Sequence, residues 1–145
     1  MEYSKRIYQQ DECITFKSTK EKYGGLSNMS SGYPIRVYGI LIRNCEALYQ
    51  ALRFPDHPEI QKVILNIHSP IIAKRYGRKH VEKTREDWIK VRFQVMRFCI
   101  AVKLEHNRLS FSELLKSTNG KFIVEYSEKD KIWGAVKKGD YYEGT

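Results

Sequence analysis

From Glu46 to Phe54 the chain reads EALYQALRF, and this stretch shows what kind of element the fold is built on. Ala47, Leu48, Ala51 and Leu52 recur at helical spacing and make one apolar stripe. Glu46 and Gln50 stand four apart and share a different face, with Tyr49 beside them. Asn44 is suited to cap the first turn. A helix is therefore expected from Asn44 to about Phe54, apolar on one side and carrying a carboxylate, an amide and a phenol on another.

Working upstream, Pro34 to Ile42 alternates around Gly39 and reads as two short strands joined by a tight turn near Tyr38–Gly39. Lys17 to Tyr33 is polar, with Gly24, Gly25 and Gly32, and is expected to be a loop. A loop of that length in a compact domain is usually functional or mobile. Ile14 to Phe16 reads as a short strand, and residues 1–13 as a loosely held lead-in.

Downstream, Pro58 is pre-set for the first turn of a helix carrying Ile60, Val63, Ile64 and Ile67. Ser69–Pro70 restarts a helix in the same way, and this one carries Ala73 and Lys74. Thr84 with Asp87 resembles a capping box at the head of the longest helix. Trp88, Val91, Val95, Phe98, Cys99 and Val102 are its expected buried stripe. Ser110 with Glu113 opens a shorter helix that Asn119–Gly120 ends. Lys121 to Tyr126 is β-branched and aromatic, hence a strand, and Ile132 to Val136 is expected to pair nearby. Helices around a small sheet, without a βαβ rhythm, give an α+β fold. At 145 residues the simplest organisation is one compact domain over residues 1–145.

Composition narrows the chemistry. The net charge is +9, and its excess gathers in Lys74–Lys90 and Lys129–Lys138. That balance favours a polyanionic partner, either nucleic acid or a phosphorylated ligand, without deciding between them. Cys13, Cys45 and Cys99 are odd in number and form no CxxC pair, so a cytosolic protein with reduced thiols is expected. Glu2 to Asp11 is polar, which argues against a secretory signal, and Phe98 to Val102 is far too short an apolar run to span a membrane. There is no P-loop, no GxGxxG after a strand, no HExxH and no GxSxG. His57, His68, His80 and His106 lack metal-ligand spacing, so neither a metal nor another cofactor is expected.

Five phrases taken in order carry a resemblance: YGGLSNMS (Tyr23 to Ser30), EALYQALRF, AKRYG (Ala73 to Gly77), REDW (Arg85 to Trp88) and IVEYSEKDKIWGA (Ile123 to Ala135). Together they resemble the NADAR family, also called YbiA-like proteins, from about Phe16 to Gly144. The resemblance implies a compact α+β domain that cleaves N-glycosidic bonds of ribose derivatives. Two activities go with it. One removes ADP-ribose from guanine in nucleic acid, often as the antidote to a DNA-modifying ADP-ribosyltransferase toxin. The other hydrolyses phosphoribosylamino-pyrimidine intermediates of riboflavin synthesis. EALYQALRFPDHPEIQ (Glu46 to Gln61), DWIKVRFQVMRFCIAVKLEHN (Asp87 to Asn107) and IVEYSEKDKIWGA look more like the guanine-directed branch. The family's G-x-N-x-L-G phrase and last amphipathic helix would follow at about Tyr141, and the chain read here stops before them.

Breaking an N-glycosidic bond passes through an oxocarbenium-like state, so the enzyme must stabilise positive charge and protonate a departing nitrogen. Carboxylates do both. The resemblance favours Glu46 as one of them over a simple helix-start glutamate aided by the dipole. It favours Asp130 as the second over an Asx-type turn residue, with Glu125 competing. Lys74 offers a Schiff-base route through a ring-opened imine, or is merely a helix-surface lysine. Tyr49, Gln50, Trp88, Trp133 and Gly134 are expected to line the substrate site. Trp88 and Trp133 would stack on a base or pack in the core. Tyr23, Gly24, Ser27 and Asn28 would offer N–H groups to phosphates and ribose hydroxyls, and Arg85 would pair with a phosphate. A catalytically silent module that binds ADP-ribose or nucleic acid remains the alternative from another class.

Overall fold

In the computed structural model, which describes residues 4–145, five α-helices and seven strands confirm the α+β class. The chain divides into two compact units. One is the residues up to Ser27 together with Glu113–Thr145, and the other is Asn28–Ser112.

The first unit holds two small sheets. Strands β1 (Arg6–Gln9), β7 (Tyr141–Gly144) and β6 (Ala135–Lys138) form an antiparallel sheet in that order, with Tyr8 opposite Tyr142 and Tyr142 opposite Lys137. Strand β2 (Cys13–Phe16) pairs in parallel with β5 (Phe122–Glu125), Phe16 opposite Glu125. Val124, Ala135 and Tyr142 are the core, with Tyr8, Cys13 and Tyr126 packed against it. Residues 6–9 were expected in a loose lead-in and are instead a strand. Nothing in RIYQ announces it, because three of its four residues face solvent and its partner lies at the other end of the chain.

The second unit begins with the hairpin of β3 (Ile35–Val37) and β4 (Ile40–Ile42). Tyr38 and Gly39 both have positive φ, at 48° and 76°, the tight hairpin turn whose twist matches the strands it joins. Helix α1 (Cys45–Ala51) follows. The Asn44 side chain accepts from the Ala47 N–H at 2.9 Å and caps it. The helix stops at Ala51, short of the expected Phe54, because Pro55 disfavours helical backbone at the residue before it. Leu52 to Phe54 instead close a tightened turn. Helices α2 (Pro58–Asn66) and α3 (Pro70–Lys79) each start with proline in the first turn. Ile60 and Ile64 of α2 and Ala73 and Gly77 of α3 are buried.

Helix α4 (Trp88–His106) corrects two expectations. Thr84 does not cap it. The Thr84 hydroxyl accepts from Arg53, and Asp87 stands at the N-cap with its carboxylate turned to Arg85. Its buried residues are Trp88, Met96, Cys99 and Lys103, so Trp88 and Cys99 are inside as expected but the seam is turned by about a fifth of a turn from the stripe drawn from hydrophobicity. Phe98, expected inside, is half exposed. The true seam includes a cation, which a polarity rule assigns to solvent. At the end of α4, His106 accepts from the Arg36 N–H and Asn107 donates to the Pro34 carbonyl, fastening the hairpin. Helix α5 (Arg108–Lys116) starts two residues before Ser110 and leads the chain back into the first unit. Among the described residues no helix is long and apolar enough to cross a membrane.

Candidate functional site

Helix α1 is buried on every side, so its polar face must find partners inside the protein. It finds them in sequence. The Glu46 backbone N–H donates to the Asn28 carbonyl at 3.0 Å, fixing the start of the helix. The Asn28 side chain in turn donates to the Met96 sulfur on α4. Gln50 Nε2 donates to Glu46 Oε1 at 2.7 Å, as the four-residue spacing implied. Gln50 Oε1 accepts from Arg53 Nη1 at 3.1 Å, and Arg53 Nη2 donates to Thr84 Oγ1 at 3.1 Å. The result is a relay that starts at Arg53, which donates both to Thr84 and to Gln50, and runs on through Gln50 to Glu46. A guanidinium only donates, so the Gln50 amide has one orientation that satisfies both neighbours.

Aromatic rings enclose this relay. Trp88, at the head of α4, lies 5.0 Å from the Tyr49 ring, and the Arg53 guanidinium lies 5.5 Å from both the Trp88 and Phe54 rings. Burial, with the Glu46 charge behind it, pushes the Tyr49 phenol well above its ordinary range, so it stays a hydrogen-bond donor. Burial also lowers Arg53 from its ordinary value, yet among the described residues no carboxylate forms an ion pair with it. Gly77 of α3 closes the far side. A Cβ there would sit 2.7 Å from Gln50 Oε1, so only glycine lets α3 approach the amide. Lys74, one turn earlier on α3, is half-buried.

Asn28, Glu46, Tyr49, Gln50 and Trp88 are thus brought together in the second unit. Arg85, expected at a phosphate, lies there too, but its guanidinium forks onto Asp87 at 2.5 and 2.9 Å. The pair lines a cleft of about 500 Å³ with Asp56, Glu82 and Glu86. Arg53 is a member of the cluster that the sequence reading did not nominate. Its spacing of three from Gln50 was the available signal. Lys103 was missed altogether. It is 1% exposed, with its ammonium 4.7 Å from the Tyr33 ring and 4.4 Å from the Phe111 ring, and burial lowers its pKa to about 8.

Tyr23, Gly24, Ser27, Asp130, Trp133 and Gly134 belong to the first unit. The N–H groups of Gly24, Leu26 and Ser27 close turns onto Glu21, Tyr23 and Gly24 carbonyls, so this backbone is folded on itself rather than presented as an anion nest. Tyr23 instead lines a cavity of about 470 Å³ with Lys17, Lys22, Tyr126, Lys137 and Tyr142. Asp130 is exposed, and its Oδ1 accepts from the Ile132 and Trp133 N–H groups at 2.8 and 3.1 Å, an Asx-type arrangement. Gly134 is set by close approach, since a Cβ would lie 2.8 Å from the Glu125 carbonyl oxygen.

The profile of the NADAR domain matches residues 15–143. The chain is 35% identical over 125 residues to the N-glycosidase YbiA of Escherichia coli (strain K12), covering 86% of this chain and 76% of that protein. It is 32% identical to a riboflavin biosynthesis protein of Vibrio vulnificus, covering 91% of this chain and 35% of that longer protein. The NMR structure of E. coli YbiA superposes with a TM-score of 0.70 at 33% identity, covering 86% of this chain and 73% of that one.

Proposed function

The chain belongs to the NADAR family, whose similar members include N-glycosidases, and from that premise we infer that it hydrolyses the N-glycosidic bond joining ADP-ribose to guanine in DNA. The observation that carries this reading is the Glu46 carboxylate, 5% exposed and accepting from Gln50, whose other partner Arg53 lies over the Trp88 ring. A fixed carboxylate in a water-poor setting stabilises a developing cation on the sugar far better than one in bulk solvent. As the C1–N bond breaks, the electron pair leaves with the guanine nitrogen, which takes a proton. Water then adds to C1 and gives up its own proton.

In this reading Glu46 stabilises the cation or guides the attacking water. Lys74 offers the alternative route, exchanging with the ring-opened imine to form a Schiff base that water hydrolyses. Asn28, Tyr49, Gln50 and Trp88 would line the sugar and base. The expected partner is ADP-ribosylated DNA, and the enzyme would counter a cognate DNA ADP-ribosyltransferase toxin in the cytoplasm without needing a metal.

The test is mass spectrometry on an oligonucleotide carrying ADP-ribosylated guanine. Release of free ADP-ribose and unmodified DNA is expected, with Glu46→Gln slowing it by about 10²-fold or more. An undiminished rate in Glu46→Gln would remove Glu46 from the mechanism. Likeness to the riboflavin biosynthesis protein motivates a second reading, hydrolysis of phosphoribosylamino-pyrimidines. Ribose 5-phosphate released from such a compound, with the modified DNA untouched, would establish it. Tight ADP-ribose or DNA binding with no turnover would instead mark a binding module.

A further inference from the structure

The positive charge of the chain is not evenly spread. Of 26 basic and 17 acidic residues, Asn28–Ser112 holds 15 and 7, so all but one unit of the net charge lies in the second unit. Within it, helix α3 and the 3-10 turn Val81–Lys83 concentrate Arg75, Arg78, Lys79 and Lys83, all exposed. Among the described residues none of these four forms an ion pair, whereas Lys17, Arg85, Arg108 and Lys131 all do. Ile71, Arg75 and Arg78 recur at helical spacing on the side away from buried Ala73 and Gly77.

Helix physics alone does not account for this. Cations in a last turn favour the helix dipole, which covers Arg78 and Lys79 but neither mid-helix Arg75 nor Lys83 beyond the end. Arg75 also stands three and four residues from Arg78 and Lys79, spacings at which like charges destabilise a helix. Half-exposed Ile71 and Ile72 continue the same surface with apolar area, and Tyr76 packs on His80 at 4.8 Å. Arg78 is close enough for its charge to act on Arg53, which ties this surface to the Glu46 relay.

We propose that the exposed face of α3 and the turn after it, Arg75, Arg78, Lys79 and Lys83, grips the sugar–phosphate backbone of a nucleic-acid strand. The proposal deepens the inferred function, since it rests on the reacting base being part of a polymer. Cations facing phosphates release counterions, so affinity falls with salt in proportion to the number of contacts.

The test uses unmodified, fluorescein-labelled single-stranded DNA, which has no bond to cleave, and reads affinity against salt by anisotropy. Wild type is expected to show a steep slope of log K on log salt. Arg75→Ala/Arg78→Ala/Lys79→Ala is expected to lower that slope by about 2, at roughly 0.7 per phosphate contact on a single strand. Lys20→Ala/Lys116→Ala/Lys138→Ala removes equal charge from the first unit and is expected to leave the slope as it was. Arg75→Lys/Arg78→Lys should retain most of the slope. Without any substitution, DNA should protect Lys79 and Lys83 from acetylation, read by mass spectrometry. Equal losses in the two alanine triples, or no protection of Lys79 and Lys83, would overturn the proposal in favour of diffuse attraction. A shared preference for heparin over DNA would do the same. Hydrolysis of ADP-ribosylated guanosine with no DNA binding sinks this proposal alone. DNA binding with no hydrolysis of any substrate sinks the glycosidase reading alone.

Discussion

At Gln50 one amide faces an arginine with its oxygen and a carboxylate with its nitrogen, and both neighbours depend on it. Gly77→Ala would press a methyl on that oxygen and turn the amide away. The expected result is a drop in kcat of about 10-fold or more, with a lower melting temperature because buried Glu46 and Arg53 each lose a hydrogen-bond partner. A loss of stability with kcat intact would mean that the amide only fills space. Lys103 makes a second residue-level prediction. Its folded pKa of about 8 lies below the unfolded value near 10.4, so between those pH values the unfolded chain binds more protons. Its contribution therefore makes stability rise as pH climbs from about 8 to 10, and below 8 the cost of burying the charge is fully present. Lys103→Met should stabilise the protein at pH 7, by about 1–3 kcal/mol less what the two rings return. Denaturant titrations of both proteins at pH 7 and pH 9.5 measure the difference, which should shrink at the higher pH. Glu46, Tyr49 and Gln50 were legible in the sequence because helical spacing is a local property. Arg53 and Lys103 were not, because a rule that sends cations to the surface cannot see the aromatic rings that receive them.

Elements show the same division between local and distant causes. The Asn44 cap, the prolines of α2 and α3 and the Tyr38–Gly39 turn were all readable, since each is decided by its immediate neighbours. Tyr38 is fully exposed at positive φ, a backbone that asparagine adopts more easily. Tyr38→Asn is expected to raise stability by about 0.5–1 kcal/mol, read by thermal unfolding. The rotation of the α4 seam was not readable, because apolar residues line both sides of that helix and only its packing chooses between them. Met96→Ala should cost about 2–4 kcal/mol and Phe98→Ser less than about 1, the reverse of the order that side-chain size suggests. Equal costs for the two would restore the original stripe.

Over the whole molecule the uneven charge has its own consequence. Repulsion within Asn28–Ser112 should be relieved by salt, so the melting temperature should rise as ionic strength goes from about 0.01 M to 0.15 M and the screening length contracts from about 30 to 8 Å. The α+β class followed from local patterns, but β1 and β7 did not, since each becomes a strand only in the presence of the other. That pairing also imposes an order of events on the ribosome. β7 is the middle strand of its sheet, and the Tyr8 hydroxyl finds the Thr145 carbonyl 137 positions later. At a translation rate of about 5–20 residues per second, Arg6–Gln9 emerges on the order of ten seconds before its neighbour exists. The hairpin and α1 to α4 are complete in the meantime, so the nascent polypeptide should bury the Glu46 helix while its own beginning still waits, unpaired and available to any chaperone, for the last strand to be made.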